Sequence, residues 1–157
     1  MSNAIVKNVT FGNDARTKIL EGVKTLAEAV TSTLGPSGMR VLLEDKQGNP
    51  VITKDGVSVA EEIVLLDPIE NMGATLVKQA ARKTVKTAGD GTTTATSLAY
   101  AILREFSEAA DQYTIRDLQS GMSAAVEKVI KYLEYNSIDI DNPDVLDSVA
   151  TISANND

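Results

Sequence analysis

Apolar residues recur every three or four positions along most of this 157-residue chain. The pattern is clearest from Ile19 to Leu34, where apolar side chains follow at spacings of four, three, four and four. This spacing places them on one face of an α-helix, which Asn13 or Asp14 can cap. A chain with such a pattern is predicted to fold mainly as α-helices that pack through their apolar faces.

Five further helices and one hairpin are predicted. Residues 39–44 and 50–54 are short, rich in β-formers and separated by the turn-forming segment DKQGN, which indicates a β-hairpin. Three of the helices are predicted at about 58–65, 71–87 and 92–110. The next follows Thr114, which caps it, with Asp117 as the capping-box acid. The last is short and begins at Asn142 and Pro143. The side chains predicted to face inward are Leu76, Val77, Ala80, Ala81 and Thr84, then Leu98, Ile102 and Phe106, then Leu118, Met122, Ala125, Val129 and Leu133.

The composition excludes several kinds of function. Cysteine and histidine are both absent, so disulfides, Ser-His or Cys-His catalysis and metal sites built from these residues are excluded. Any metal must be a hard cation such as Mg²⁺ held by oxygen atoms. The net charge of −7, without a Lys/Arg cluster, argues against nucleic-acid binding. Because no apolar run approaches 18 residues and no signal peptide is evident, we expect no membrane contact and a cytoplasmic protein.

Three loops combine glycine with hydroxyl or carboxylate groups: residues 31–38 (TSTLGPSG), 53–56 (TKDG) and 88–94 (AGDGTTT). In the third loop, poor helix formers stand between two predicted helices. Gly89 and Gly91 would let the backbone approach a ligand, and the amides of the following helix start would attract an anion. At most two of the three threonine hydroxyls that follow can reach it. Asp90 would repel a phosphate unless a cation such as Mg²⁺ lies between them.

Each loop also has an ordinary structural interpretation. Asp90 can be a helix cap between turn-forming glycines, Pro36 can simply end a helix, and Lys54 with Asp55 can be a solvated turn. The near-match to G-x-G-x-x-G follows a predicted helix, which is the wrong context for a dinucleotide motif, and no P-loop is present. The residues alone therefore leave two hypotheses open, a Mg-nucleotide site and a set of plain turns.

The segments TLGPSGMRV, ITKDGVSVA, ENMGA, AGDGTTTAT and TISAN decide between them by resemblance. They occur in the order and at the spacings of the group I chaperonins, and the likeness runs from about Val9 to Asp157. The resemblance implies a helical bundle like the chaperonin equatorial domain, with one small β-hairpin. It further implies that residues 1–135 are the first half of the ATP-binding equatorial domain, and that residues 136–157 begin the intermediate domain of a truncated chain.

The resemblance also implies the cofactors ATP, Mg²⁺ and K⁺. Asp90 would bind Mg²⁺, and the backbone oxygens of Thr33 and Lys54 would lie near K⁺. Asp55 would position the attacking water, while the main catalytic aspartate is expected downstream of this chain. The residues expected around the nucleotide are Thr33, Leu34, Gly35, Pro36, Lys54, Asp90, Gly91, Thr92, Thr93 and Thr94.

The function implied is that of an ATP-dependent protein-folding chaperonin subunit, or of its N-terminal nucleotide-binding fragment. Its partners would be other subunits of a homo-oligomeric ring. Unfolded polypeptides and a co-chaperonin would bind through regions that this chain does not contain. The alternative is a non-catalytic, truncated chaperonin-like protein that acts as an interaction or ring-modulating piece.

Overall fold

A computed structural model describes residues 10–45, 47–138, 140 and 142–154. The predicted fold class, mainly helical with one small β-hairpin, is confirmed in these ranges. The predicted domain limits, 1–135 and 136–157, extend beyond the described residues at both ends. The elements within these ranges are α1 Gly12–Thr31, β1 Val41–Glu44, β2 Pro50–Thr53, α2 Gly56–Glu62, α3 Pro68–Ala88, α4 Thr92–Ala109, α5 Ile115–Asn136 and α6 Pro143–Ser153.

Helices α1 and α3 meet at two glycines that leave no room for a side chain. A Cβ atom built on Gly22 would lie 1.9 Å from the carbonyl oxygen of Glu70. One built on Gly73 would lie 2.2 Å from the carbonyl oxygen of Ile19. Because glycine has no side chain, the two helix backbones come into contact at these positions. The neighbouring apolar residues Val23 and Ala74 are fully buried by this contact.

The core lies among α1, α2 and α3. On α1 the predicted apolar face is confirmed at Val23, Leu26 and Val30, each at most 1% exposed. Half-buried side chains from the hairpin and from α4 pack against this core. The buried cluster consists of Val23, Leu26, Val30, Val59, Ala60, Ala74 and Val77.

The ends of α1 differ from the prediction. The helix begins at Gly12 after Phe11, which makes no capping hydrogen bond, so Asn13 and Asp14 lie inside the first turn. Leu34, predicted on the buried face, lies beyond the end of the helix at Thr31 and is 49% exposed. The apolar spacing in the sequence extends to Leu34, although the helix itself ends at Thr31.

Helices α2 and α3 begin earlier than predicted because a carboxylate caps each one. The predicted start of α2 at Ser58 is wrong, since Asp55 accepts from the backbone N–H of Ser58 and the helix begins at Gly56. Helix α3 begins at Pro68 rather than at residue 71, with Asp67 as its cap. Each aspartate accepts hydrogen bonds from backbone N–H groups at the helix start that would otherwise lack a partner.

The inward faces predicted for α3 and α4 are partly wrong. On α3, Val77 and Ala81 are buried as predicted, but Leu76 is 59% exposed. On α4, Leu98 and Ile102 are 56% and 46% exposed. The residues buried in their place are Gly73, Ala74 and Lys78 on α3 and Thr92 and Thr96 on α4.

The chain divides into two compact units within α4, between Glu105 and Phe106. In the second unit, the predicted caps are confirmed: Thr114 accepts from the N–H of Asp117, and Asn142 caps α6. No residue of α5 is buried: of its predicted inward face, Leu118 is half-buried and the rest is exposed. None of the helices in the described ranges has both the length and the apolar character needed to cross a membrane.

Candidate functional site

The first predicted loop is a tight turn at the end of α1. The Thr33 hydroxyl donates to the Val30 carbonyl oxygen at 2.7 Å, and Gly35 has a φ of +75°, which favours glycine. The turn closes where the N–H of Gly38 donates to the Gly35 carbonyl oxygen at 2.9 Å. This leaves a run of exposed residues at the tip, namely Leu34, Gly35, Pro36 and Ser37.

In the second loop, Asp55 is ordered by its own helix. Its Oδ2 accepts from the hydroxyl of Ser58 at 2.7 Å and from the N–H of Ser58 at 2.9 Å, while Oδ1 accepts from the N–H of Val57 at 3.3 Å. Burial pushes the pKa of the Asp55 carboxyl upward, but these hydrogen bonds outweigh it and hold the pKa below its ordinary value. Asp55 is therefore ionised at neutral pH. Lys54, beside it, is exposed.

The third loop joins α3 to α4 through two glycines with positive φ. Gly89, at +83°, ends α3, and its N–H donates to the Val85 carbonyl oxygen at 2.7 Å. Gly91, at +99°, directly precedes α4. Between them Asp90 is exposed, and its Oδ1 accepts from the N–H of Gly91 at 2.6 Å. The predicted capping role of Asp90 toward the amides of α4 is thus not what its side chain does here.

The start of α4 keeps its backbone donors open. The first helical hydrogen bond runs from the N–H of Ala95 to the Gly91 carbonyl oxygen at 2.8 Å. In the described part of the chain, the N–H groups of Thr92, Thr93 and Thr94 have no acceptor, and Gly91 has no side chain that could cap them. Three unpaired amides at the positive end of an 18-residue helix form a strong anion-attracting feature.

The three threonine side chains point to different surroundings. Thr92 is buried at 5% exposure, Thr93 is half-buried and Thr94 is exposed. Consecutive residues cannot share a helical face, so this divergence follows from the geometry of the helix. A ligand at the helix start could therefore meet at most the hydroxyls of Thr93 and Thr94.

Two of the loops meet at Gly56, the first residue of α2, beside the end of α1 from which the first loop follows. A Cβ atom built there would lie 2.1 Å from the hydroxyl oxygen of Thr93 and 3.4 Å from a methyl group of Val30. Val30 is also the acceptor for Thr33 in the first loop. Gly56 therefore brings the start of α2 against the start of α4 and the end of α1.

Sequence reasoning gave three of the residues that build this arrangement other roles: Gly56 as part of a turn, Ser58 as a helix start and Val30 as part of a buried helix face. The segment DGVS carried a signal for the helix start, because aspartate is a favoured N-cap residue and would place the first helical residue at Gly56. Nothing in the sequence pattern indicated that Gly56 contacts α4. No group of three or more acidic side chains that could hold a metal ion by themselves occurs among the described residues.

Comparison with known proteins gives consistent results. The chain matches the TCP-1/cpn60 chaperonin family over residues 26–157. It is 51% identical over 152 residues to heat shock protein 60 of Emericella nidulans. The aligned region covers 96% of this chain and 26% of that relative. Mitochondrial heat shock protein 60 of Saccharomyces cerevisiae is also 51% identical over 152 residues. This alignment covers 96% of this chain and 27% of the yeast protein.

The solved structures agree. A crystal structure of a group III chaperonin in the open state superposes with a TM-score of 0.70 at 30% identity, covering 81% of this chain and 25% of that one. The chain thus spans about a quarter of the length of the relatives it matches. The resemblance predicted from the motifs is confirmed, and the chain belongs to the TCP-1/cpn60 chaperonin family.

Proposed function

We propose that this chain is the ATP-binding part of a chaperonin subunit, and that it serves ATP-dependent protein folding. The observation that carries the proposal is the contact of Gly56 with Thr93 and Val30, which brings the second and third loops together at the end of α1, just before the first loop. The third loop offers the free amides at the start of α4, the second offers the carboxylate of Asp55 and the ammonium of Lys54, and the first is a tight glycine turn.

The start of α4 fits the polyphosphate of a nucleotide. The unpaired amides of Thr92, Thr93 and Thr94 point along the helix axis, where the helix dipole favours negative charge. Gly91 removes the side chain that would otherwise stand between these amides and a bulky anion. The residues of the first loop, Leu34 to Pro36, would border the rest of the nucleotide.

The metal ligands present fit Mg²⁺ brought in with a nucleotide. Asp90 is the only acid in the third loop, and a single carboxylate cannot hold Mg²⁺ without further oxygen ligands. Phosphate oxygens and water would complete the octahedral shell, so ATP and Mg²⁺ would bind together. The backbone oxygens of Thr33 and Lys54 would hold K⁺ beside them.

The bound nucleotide would supply the phosphoryl group that is transferred to water. In such reactions the protein acts mainly by positioning and by neutralising charge. Asp55 would orient the water, and its ionised carboxylate is held in place by Ser58 and Val57. Lys54 would offset phosphate charge. A further acid for full turnover is expected in the part of the relatives that this chain does not match.

The proposed partners are other chaperonin subunits in a homo-oligomeric ring. Unfolded polypeptides and a co-chaperonin would bind to parts of the subunit outside the matched quarter. The proposed compartment is the cytoplasm. One of the matched relatives carries the word mitochondrial in its name, and cell fractionation would distinguish the two compartments.

Titration with ATP tests the nucleotide site. We expect saturable binding in the presence of Mg²⁺, and a loss of at least about tenfold in affinity, or about 1.4 kcal/mol, when Mg²⁺ is removed or when Asp90→Ala is introduced. Asp111→Ala, which removes an exposed acid from another loop, is the matched control and should bind like the wild type. Mg²⁺-independent binding, or equal binding by both variants, would refute the assignment.

A further inference from the structure

A cavity of about 190 Å³ opens between α2 and α3, beside the start of α4. It is separate from the residues proposed to hold the nucleotide, except for Thr92. An engineered protein cavity of about 150 Å³ is large enough to hold benzene. The side chains that line it are Val57, Ala60, Glu61, Lys78, Ala81, Arg82, Val85, Lys86 and Thr92.

One of the lining residues carries a buried, unsatisfied polar atom. Thr92 is 5% exposed, and its hydroxyl oxygen has no hydrogen-bond partner among the described residues. Its neighbour one turn along, Thr96, donates its own hydroxyl to the Thr92 carbonyl oxygen at 2.8 Å and so does not serve the Thr92 hydroxyl. A buried hydroxyl without a partner costs free energy that a polar ligand group would recover.

The lining carries an excess of positive charge in a chain whose net charge is −7. Lys78, Arg82 and Lys86 follow one another at four-residue spacing along α3, and Glu61 is the one acid among the described residues of the lining. Glu62, outside the lining, also attracts the charge of Lys78. Glu61 forms an ion pair with Arg82. Lys86 forms no ion pair within the described ranges.

Lys78 adds a buried cation without a carboxylate partner. It is 8% exposed, and its ammonium donates to the carbonyl oxygens of Glu61, at 3.2 Å, and Ile63. Burial lowers the pKa of Lys78, as expected for an ammonium whose hydrogen-bond acceptors are neutral. The remaining walls are the apolar side chains of Val57, Ala60, Ala81 and Val85.

We propose that this cavity is a second binding site, which takes a small organic carboxylate with an apolar body of about the size of a benzene ring. The apolar walls contact the body, the Thr92 hydroxyl donates to a polar atom, and the lysines of α3 attract the negative charge. The site is distinct from the proposed nucleotide site, although Thr92 belongs to both through different groups, its side chain here and its amide there.

Ligand titration by NMR, without nucleotide, tests this proposal on the 157-residue chain. The probes are benzoate, benzyl alcohol as its neutral counterpart and benzylamine as the cation. We expect benzoate to shift the methyl signals of Val57, Ala60, Ala81 and Val85 saturably below about 10 mM, with benzyl alcohol at least about fivefold weaker and benzylamine without effect. Equal shifts by benzoate and benzyl alcohol, or no saturation by benzoate, would overturn the proposal.

Three variants separate the charge from the hydroxyl. Lys86→Gln should weaken benzoate about fivefold and leave benzyl alcohol unchanged, whereas Lys83→Gln, on the same helix but outside the lining, should change neither. Thr92→Val keeps the shape of the side chain and should weaken both probes. A Lys83 effect equal to that of Lys86 would contradict a specific site. Since no nucleotide is present, failure here would leave the ATP proposal unaffected.

Discussion

Gly56 and Thr93 are in such close contact that a Cβ atom on the glycine would lie 2.1 Å from the threonine hydroxyl oxygen. Gly56 does not have a positive φ, so its role is to save space rather than to permit an unusual backbone. The contact fixes the start of α2 against the start of α4. It therefore sets the distance between Asp55, which caps one helix, and the open amides of the other.

Gly56→Ala should destabilise the fold by about 1–3 kcal/mol, because the new methyl group overlaps the Thr93 hydroxyl. The double variant Gly56→Ala with Thr93→Ala removes that oxygen and should recover at least half of the loss. Denaturant unfolding of the two single variants and the double variant gives the coupling energy. Strictly additive losses would show that the two residues do not touch.

Gly22→Ala should cost more than about 3 kcal/mol, because its methyl group would meet the backbone of Glu70, which cannot rotate away. Gly121→Ala is the matched control in α5, where nothing lies within 4 Å of the added atom. That change should stabilise by about 0.5–1 kcal/mol, since alanine is the better helix former. Thermal unfolding measures both. Similar effects of the two variants would contradict the close contact of α1 and α3.

Asp67→Asn should reduce stability in a pH-dependent way. A hydrogen bond from Lys18 at 2.8 Å, together with the N–H groups of Ile69 and Glu70, holds the pKa of the Asp67 carboxyl below its ordinary value. The contribution of Asp67 is therefore complete above about pH 4 and is lost as the pH falls through the lower folded value. Asparagine retains the cap but not the charge.

The measurement for Asp67 is the denaturation midpoint of wild type and Asp67→Asn across a pH series. The small difference between them at pH 7 should disappear in acid. At the alkaline end, the hydrogen bond to Asp67 raises the pKa of Lys18, so the same difference should fade as the pH rises through that raised value. A difference that stays constant from acid to alkaline pH would contradict the ion pair.

The exposed apolar side chains of α5 should make the isolated chain self-associate or bind a complementary chain. Val126, Val129, Ile130 and Leu133 are between 47% and 60% exposed. Light scattering should give an apparent mass that rises with concentration, and Val129→Lys should reduce this rise, whereas Lys128→Gln should not. A mass that stays monomeric at high concentration would contradict the prediction.

Local signals in the sequence predicted the elements well where they were complete. The hairpin, the Thr114 and Asn142 caps and the buried face of α1 are confirmed. The predicted start of α2 at Ser58 is wrong because Asp55, three positions earlier, is the cap. Aspartate and serine are both favoured N-cap residues, so the segment DGVS offers two possible helix starts.

The spacing of apolar residues in the sequence could not predict the tertiary contacts. Apolar spacing identified a face on α4, but Leu98 and Ile102 are exposed and two threonines are buried in their place. Which face of an amphipathic helix is buried depends on its neighbours, and glycine contacts such as that of Gly22 with Glu70 join residues far apart in the chain. The site residues were named from motifs, and their assignment to a nucleotide remains a prediction.

Paramagnetic broadening by Mn²⁺ and ATP is the most direct test of the nucleotide site, because Mn²⁺ can occupy a Mg²⁺ position and broadens only nearby signals. We expect the amide signals of Gly35, Gly56 and Gly91 to broaden together at saturation. The signal of Gly73, about 24 Å along α3 from the third loop, should persist. Asp90→Ala should abolish the broadening. Broadening of Gly91 without Gly35 and Gly56, or equal broadening of Gly73, would contradict a single site formed by the three loops.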